Sequence, residues 1–145
     1  MPAWVQAGYQ EYARRLPPEC ALQLTEIPLG QRRKGGDPRR AVQEEGARML
    51  KALPKGGRII ALEVGGCAWS TEALARALEG WLGEGSPVAL LVGGPDGLSE
   101  ECLARAGQRW SLSPLTLPHP LVRVVVAEQL YRAWSILRHL PYHRT

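Results

Sequence analysis

The sequence predicts an α/β fold in which a parallel sheet is covered by helices on both faces. Two apolar runs, 58-RIIALEV-64 and 87-PVALLV-92, alternate with segments whose apolar residues recur at helical spacing, the pattern of strand–helix–strand units. The first run is apolar enough to be a central strand, shielded on both sides. The chain has 145 residues, 45% of them hydrophobic, which suffices for one domain with a real core and not for two. No internal repeat, low-complexity tail or linker divides it, so residues 1–145 are expected to form a single domain.

Local signals justify each element. Pro2 suits the first turn of a helix, and Trp4, Val5, Tyr9, Tyr12 and Leu16 follow at helical spacing until Pro17-Pro18 stops it. The alternating segment 22-LQLTEI-27 reads as a strand, and the glycine-rich basic block after it as a loop. After Pro38 an amphipathic helix carries Val42, Glu45, Met49 and Leu53 and ends at 54-PKGG-57. The strand 58–64 then turns at Gly65-Gly66. Ser70 is placed to cap a helix holding Leu74, Leu78 and Leu82, with Glu72 in its first turn. Strand 87–92 runs into 93-GGPDG-97, after which Ser99 caps a short helix from about Glu100 to Ala106. A strand at 109-RWSLS-113 leads through 114-PLTLPHP-120 into a long final helix, about Leu121 to Arg138. Beginning with a helix is unusual for this fold and predicts a sheet lacking an N-terminal edge strand.

Lys and Arg exceed Asp and Glu by 18 to 14, a mild excess that is unevenly spread. The block 31-QRRKGGDPRR-40 sets Arg32, Arg33, Lys34, Arg39 and Arg40 against Asp37 alone. From Arg109 onward Arg109, Arg123, Arg132, Arg138 and Arg144 face only Glu128, and His119, His139 and His143 lie there too. Such zones point to a polyanionic partner, although a solvated surface gives the same signal. Cys20, Cys67 and Cys102 are an odd, scattered set that fits neither a disulfide framework nor a zinc site, so buried free thiols are expected and no metal. No apolar run reaches the ~18 residues of a membrane span and no signal peptide opens the chain. The expectation is a soluble cytoplasmic protein that binds no membrane.

Two loops are chemically unusual. Gly93-Gly94 stands at a strand's carboxyl end, where open α/β sheets bind ligands. The turn matches neither phosphate-binding glycine motif, and Asp96 would repel an anion. The segment 113-SPLTLPHP-120 puts three prolines in eight residues and carries no charge besides His119. A stiff apolar loop beside a glycine turn suits a flat neutral ring, such as adenine, rather than a triphosphate. A plain tight turn at Pro95-Asp96-Gly97 remains the alternative. The final helix presents Val122, Val126, Leu130, Trp134 and Leu137 on one face and Leu121, Val124, Ala127 and Tyr131 on another. Burial on both faces is expected, one against the sheet and one against a second subunit.

The runs 91-LVGGPDGLS-99 and 110-WSLSPLTLPHPLVRVVVAEQLYRAWSI-136, with the tail 141-PYHR-144, closely resemble the RlmH family of small bacterial SPOUT methyltransferases. Weaker similarity runs through 2-PAWVQAGYQEY-12, 26-EIPLGQRRKG-35 and 59-IIALEVGG-66. The resemblance implies a homodimer with a C-terminal trefoil knot, a topology almost absent elsewhere. It implies methyl transfer from S-adenosylmethionine to N3 of pseudouridine 1915 in helix 69 of 23S rRNA within the ribosome. It also implies a donor pocket of Leu62, Gly93, Gly94, Ser113, Pro114, Leu115, Thr116, Leu117 and Pro118.

The same resemblance points to Tyr142, His143 and Arg144 as catalytic residues that reach across the dimer to complete a composite site. His143 would suit proton transfer, Arg144 a phosphate or uracil carbonyl, and Tyr142 base stacking. Arg132 and His119 are secondary candidates, and the basic block would contact rRNA phosphates. The family opens with a further strand and loop ahead of the segment matching Pro2, so the first helix is expected to lack its preceding strand. A non-catalytic RNA-binding protein of the same fold, or a tRNA methyltransferase of the same class, are the rival readings.

Overall fold

A computed structural model describes residues 1–144. The elements in chain order are α1 (Ala3–Ala13), α2 (Arg39–Ala52), β1 (Arg58–Ala68), α3 (Thr71–Glu84), β2 (Val88–Leu91), α4 (Glu100–Arg105), β3 (Gln108–Ser111) and α5 (His119–Leu137), with a short 3-10 turn at Pro18–Cys20. They form an α/β fold with a parallel sheet of order β2-β1-β3. The chain divides into two compact units.

One unit spans Thr25–Ala68 and Ser86–His119 and holds the sheet, α2 and α4. Ile60 and Ala61 of the central strand are fully buried, as its apolar run requires. Ser99 caps α4, its Oγ accepting from the Cys102 amide at 3.1 Å. That cap packs on α2 at Gly46, where an added Cβ would lie 2.2 Å from Ser99 Oγ. Alanine inside a helix ordinarily gains about 1 kcal/mol over glycine. Here the obstructing hydroxyl is already committed to the cap, so overpacking wins. Gly46→Ala is expected to lose about 1–3 kcal/mol of stability in thermal or denaturant unfolding.

The other unit contains Met1–Leu24, Trp69–Gly85 and the chain from Pro120, and so gathers α1, α3, α5 and the tail. Ser70 caps α3 through Oγ to the Ala73 amide at 3.0 Å, and left-handed Gly85 closes it. Val5 and Tyr9 of α1, Leu74, Leu78 and Trp81 of α3, and Val126, Leu130 and Trp134 of α5 are buried. Gly8 lies against Val124, whose methyls stand 3.3 Å from where a Cβ would project. On α5, Ala127 of the second apolar face is buried as well, whereas Leu121 is exposed.

Three expectations change. Residues 22–27 form no strand, because none of β1, β2 or β3 pairs with them, and a strand without a neighbour leaves its backbone groups unsatisfied. Gly65-Gly66 does not end β1. Trp110 stands opposite both Leu62 and Cys67, so residues 63–66 bulge out and the strand then resumes pairing with β3. Gly66 permits the return, since a Cβ there would meet the Arg109 carbonyl carbon at 2.6 Å. Finally, the three thiols are free, but only Cys102 is buried; Cys67 is exposed and Cys20 partly so.

Candidate active site

The expected donor residues gather on one edge of the sheet. Because the strands are parallel, their carboxyl ends share that edge. Leu62 pairs with Trp110 on β3, one residue beyond the level at which Ala61 meets Leu91 on β2. Gly93 and Gly94 follow β2, and Ser113 to Pro118 follow β3. Leu115 is 71% exposed, and Pro114, Thr116 and Pro118 are exposed beside it, with Leu117 half-buried. Ser113 stiffens the loop, its Oγ accepting from the Leu115 amide at 2.9 Å while its carbonyl accepts from Ser111 Oγ at 3.0 Å.

The two glycines serve different ends. A Cβ on Gly93 would lie 2.6 Å from the Gly97 carbonyl carbon, so the turn closes on itself there. The Gly97 amide donates to the Gly94 carbonyl at 3.1 Å, and Gly97 takes φ +83°, which glycine adopts without strain. Gly94 has only ordinary contacts, Glu45 Oε1 and Leu29 Cδ2 each at 3.5 Å from its projected Cβ. Unlike Gly93, it is not forced by a close approach within the turn.

Beneath the turn lies an ion cluster. Glu45 on α2 is only 4% exposed; it accepts from the Gly30 amide at 2.9 Å and from Arg32 at 2.7 and 3.3 Å. Arg32 Nε reaches Asp96 at 2.9 Å. Burial resists the Glu45 charge, but Arg32 and the Gly30 amide outweigh it and hold its pKa below the ordinary value. The same two carboxylates hold Arg32 more firmly protonated, Glu45 foremost. Arg32 is thus occupied within the unit, while Arg33, Lys34, Arg39 and Arg40 are exposed. Arg39 pairs with Asp37, and Arg40 lies 3.5 Å from Glu44.

The tail belongs to the other unit, and two of its three candidate residues are docked. Tyr142 donates to Glu128 Oε2 at 2.8 Å. Its ring meets Tyr131 edge-on at 4.8 Å, and the Arg132 guanidinium lies over it at 4.8 Å. Glu128 also receives Arg132 at 2.9 Å and Gln129 at 2.7 Å, and Gln129 accepts from Thr71 at 3.0 Å. The network therefore runs from the start of α3 through α5 to the tail. Burial, reinforced by the Glu128 bond, pushes the Tyr142 hydroxyl well above the usual tyrosine value, so it remains a donor. Arg132, Tyr142 and Gln129 together overcome burial at Glu128 and hold its carboxyl low.

His143 is half-buried in the same network. Arg132 Nη1 lies 3.3 Å from its Nδ1. Guanidinium can only donate, so Nδ1 is the acceptor and the proton of the neutral ring sits on Nε2. That nitrogen lies 3.4 Å from Glu72 Oε1 without forming a hydrogen bond. Arg144 is exposed, and His119 is the first residue of α5. Glu45, Glu128 and Asp96 were not anticipated as members of these clusters. Only Glu45 left a trace in the sequence, a carboxylate in an apolar helical stripe. Among the described residues no helix is long and apolar enough to cross a membrane, and no His/Cys/Asp/Glu group is arranged to hold a metal.

The chain belongs to the SPOUT methyltransferase family: the family described as a predicted SPOUT methyltransferase matches residues 1–143. The protein is accordingly a methyltransferase with a methyl-donor site. Among curated relatives, the ribosomal RNA large subunit methyltransferase H of Alkalilimnicola ehrlichii is 65% identical over 99% of this chain and 92% of its own length. Proteins of the same name from Methylococcus capsulatus and Hahella chejuensis are 59% and 58% identical, over 99% of this chain and 93% and 92% of theirs.

Proposed function

We propose that the protein transfers a methyl group from S-adenosylmethionine to N3 of the helix-69 pseudouridine of 23S rRNA in cytoplasmic ribosomes. It would work as a homodimer with a knotted C-terminal half, residues 1–145 acting as one methyltransferase domain. The observation that carries this is the convergence of Leu62, the glycine turn and the exposed proline loop on one carboxyl edge, joined to the relatives' shared name. The residues fit the donor. Leu115 and Pro114 offer a flat ring an uncovered apolar wall, and the Asp96 charge is already answered by Arg32.

When bound, the donor supplies an electrophilic sulfonium methyl. The chain's own task is alignment and handling of the N3 proton. Tyr142 is held protonated by burial and Glu128, so it positions rather than accepts. His143 becomes an acceptor only when Arg132 releases Nδ1. Exposed Arg144 and the cations Arg33, Lys34, Arg39 and Arg40 suit phosphate contact.

Mass mapping of ribosomal and transfer RNA from cells lacking this chain tests the assignment. The expected result is loss of one methyl from helix 69, restored by complementation. An intact helix 69 with a methyl missing from tRNA, or no methyl missing from either, overturns it.

A further inference from the structure

The basic block surrenders its most structured cation. We propose that Arg32 is a positioning residue of the methyl-donor site, fixing the glycine turn by bridging Asp96 to the buried Glu45. This rests on the reading of the turn at 93–97 as a wall of that site.

Arg32 reads at first as one solvated cation among five in 31-QRRKGGDPRR-40. The geometry points inward instead. Its Nη1 and Nη2 grip both Glu45 oxygens, at 2.7 and 3.3 Å, and its Nε takes Asp96 Oδ2 at 2.9 Å. A guanidinium can hold two carboxylates at once because its donors are fixed in a planar fork. One of those carboxylates belongs to a helix and is almost inaccessible. The other forms the tip of the glycine turn, 64 residues further along the chain.

Glu45 is itself held in place. It receives the Gly30 amide at 2.9 Å, and Gly30 lies so close to α2 that a Cβ would meet the Ala41 carbonyl oxygen at 2.5 Å. The anchor is thus part of the packed unit, and the turn rests on it, with Glu45 Oε1 3.5 Å from the projected Cβ of Gly94. Inside the turn the Gly97–Gly94 backbone bond opposes opening. The Arg32–Asp96 bond supplies the external restraint. What it controls is where the backbone of Gly93 and Gly94 stands relative to the loop at 113–118, and donor affinity depends on that placement.

Calorimetry with S-adenosylmethionine on the full chain, paired with steady-state methylation, tests the assignment. Arg32→Lys keeps the charge but cannot hold both carboxylates, and Asp96→Asn keeps the shape but loses the ion pair. Each is expected to weaken donor binding about tenfold, and the double variant to be no worse than either alone. The donor KM should rise by the same factor, while kcat at saturating donor and the salt dependence of RNA binding stay within about twofold. A merely structural bridge would lower the melting temperature without this split. Leu115→Ala, on the exposed proline loop and outside the Arg32 cluster, reads the site independently by removing part of its apolar wall. If it weakens donor binding while Arg32→Lys and Asp96→Asn leave affinity unchanged, the proposal is overturned and the donor site stands. If Arg32→Lys lowers RNA affinity alone, Arg32 is an RNA contact and the proposal is likewise overturned. Unchanged affinity in Leu115→Ala overturns the reading of this carboxyl edge as the donor site, and the proposal with it.

Discussion

Replacing His143 and Arg144 together by alanine is expected to reduce methyl transfer at least a hundredfold while leaving S-adenosylmethionine affinity within about twofold. The two effects separate because the donor loops and the tail belong to different units of the chain. Losing His143 removes the acceptor that Arg132 finds at 3.3 Å and the contact with Glu72 at 3.4 Å. Losing Arg144 removes an exposed cation next to it. The tail should nevertheless stay docked, because Tyr142 keeps its 2.8 Å bond to Glu128 and its edge contact with Tyr131. Single-turnover transfer of labelled methyl to ribosomes, run beside calorimetry, measures both quantities. Wild-type turnover in the double variant would exclude the tail from the reaction.

The second large effect is expected at Gly93. In Gly93→Ala the new methyl would stand 2.6 Å from the Gly97 carbonyl carbon, 2.8 Å from its Cα and 2.9 Å from the Leu98 amide nitrogen. All three are backbone atoms, so no side chain can move aside. The turn must open, losing the Gly97–Gly94 bond and pulling Asp96 from Arg32. A stability loss of about 2–4 kcal/mol should accompany donor binding weakened at least tenfold. Gly94→Ala, whose added Cβ would make only ordinary contact with Glu45 and Leu29 at 3.5 Å, should melt almost as the wild type does. A Gly93→Ala protein that melts normally and binds donor normally would refute the close approach within the turn.

How far the sequence could be read depended on the range of the interaction involved. Capping at Ser70 and Ser99 was legible because donor and acceptor lie three residues apart. The apolar strands, the amphipathic helices and their order were legible because periodicity is local. Residues 22–27 alternate like a strand, yet whether a strand forms depends on a partner elsewhere in the chain. The bulge at 63–66 was hidden for the same reason, since Gly65-Gly66 looks like a turn until Trp110 is known to face both ends.

The site divides along the same line. The glycine turn and the proline loop announced themselves by composition, and the register of β1 with its neighbours places them on one edge. The network of Glu128, Arg132 and the tail joins residues that look like ordinary surface charges until the tail folds back on α5. Arg32 is the sharpest case. Nothing local distinguishes it from Arg33, and only the distant Asp96 and the buried Glu45 give it a different occupation.

The bulge in β1 also bears on how this edge can change over evolutionary time. A strand that leaves its partner at Trp110 and rejoins it at the same residue has decoupled the length of the excursion from the alignment of the sheet. Residues can be gained or lost between Leu62 and Gly66 without shifting the pairing of Arg58 to Ala61 with β2, and lengthening such a loop costs only slowly growing closure entropy. Gly66 is the fixed post of that segment, pinned against the Arg109 and Trp110 backbone, whereas the projected Cβ of Gly65 meets only the Glu63 side chain. The rim beside Leu62 is therefore a place where new shapes can be tried on an unchanged scaffold.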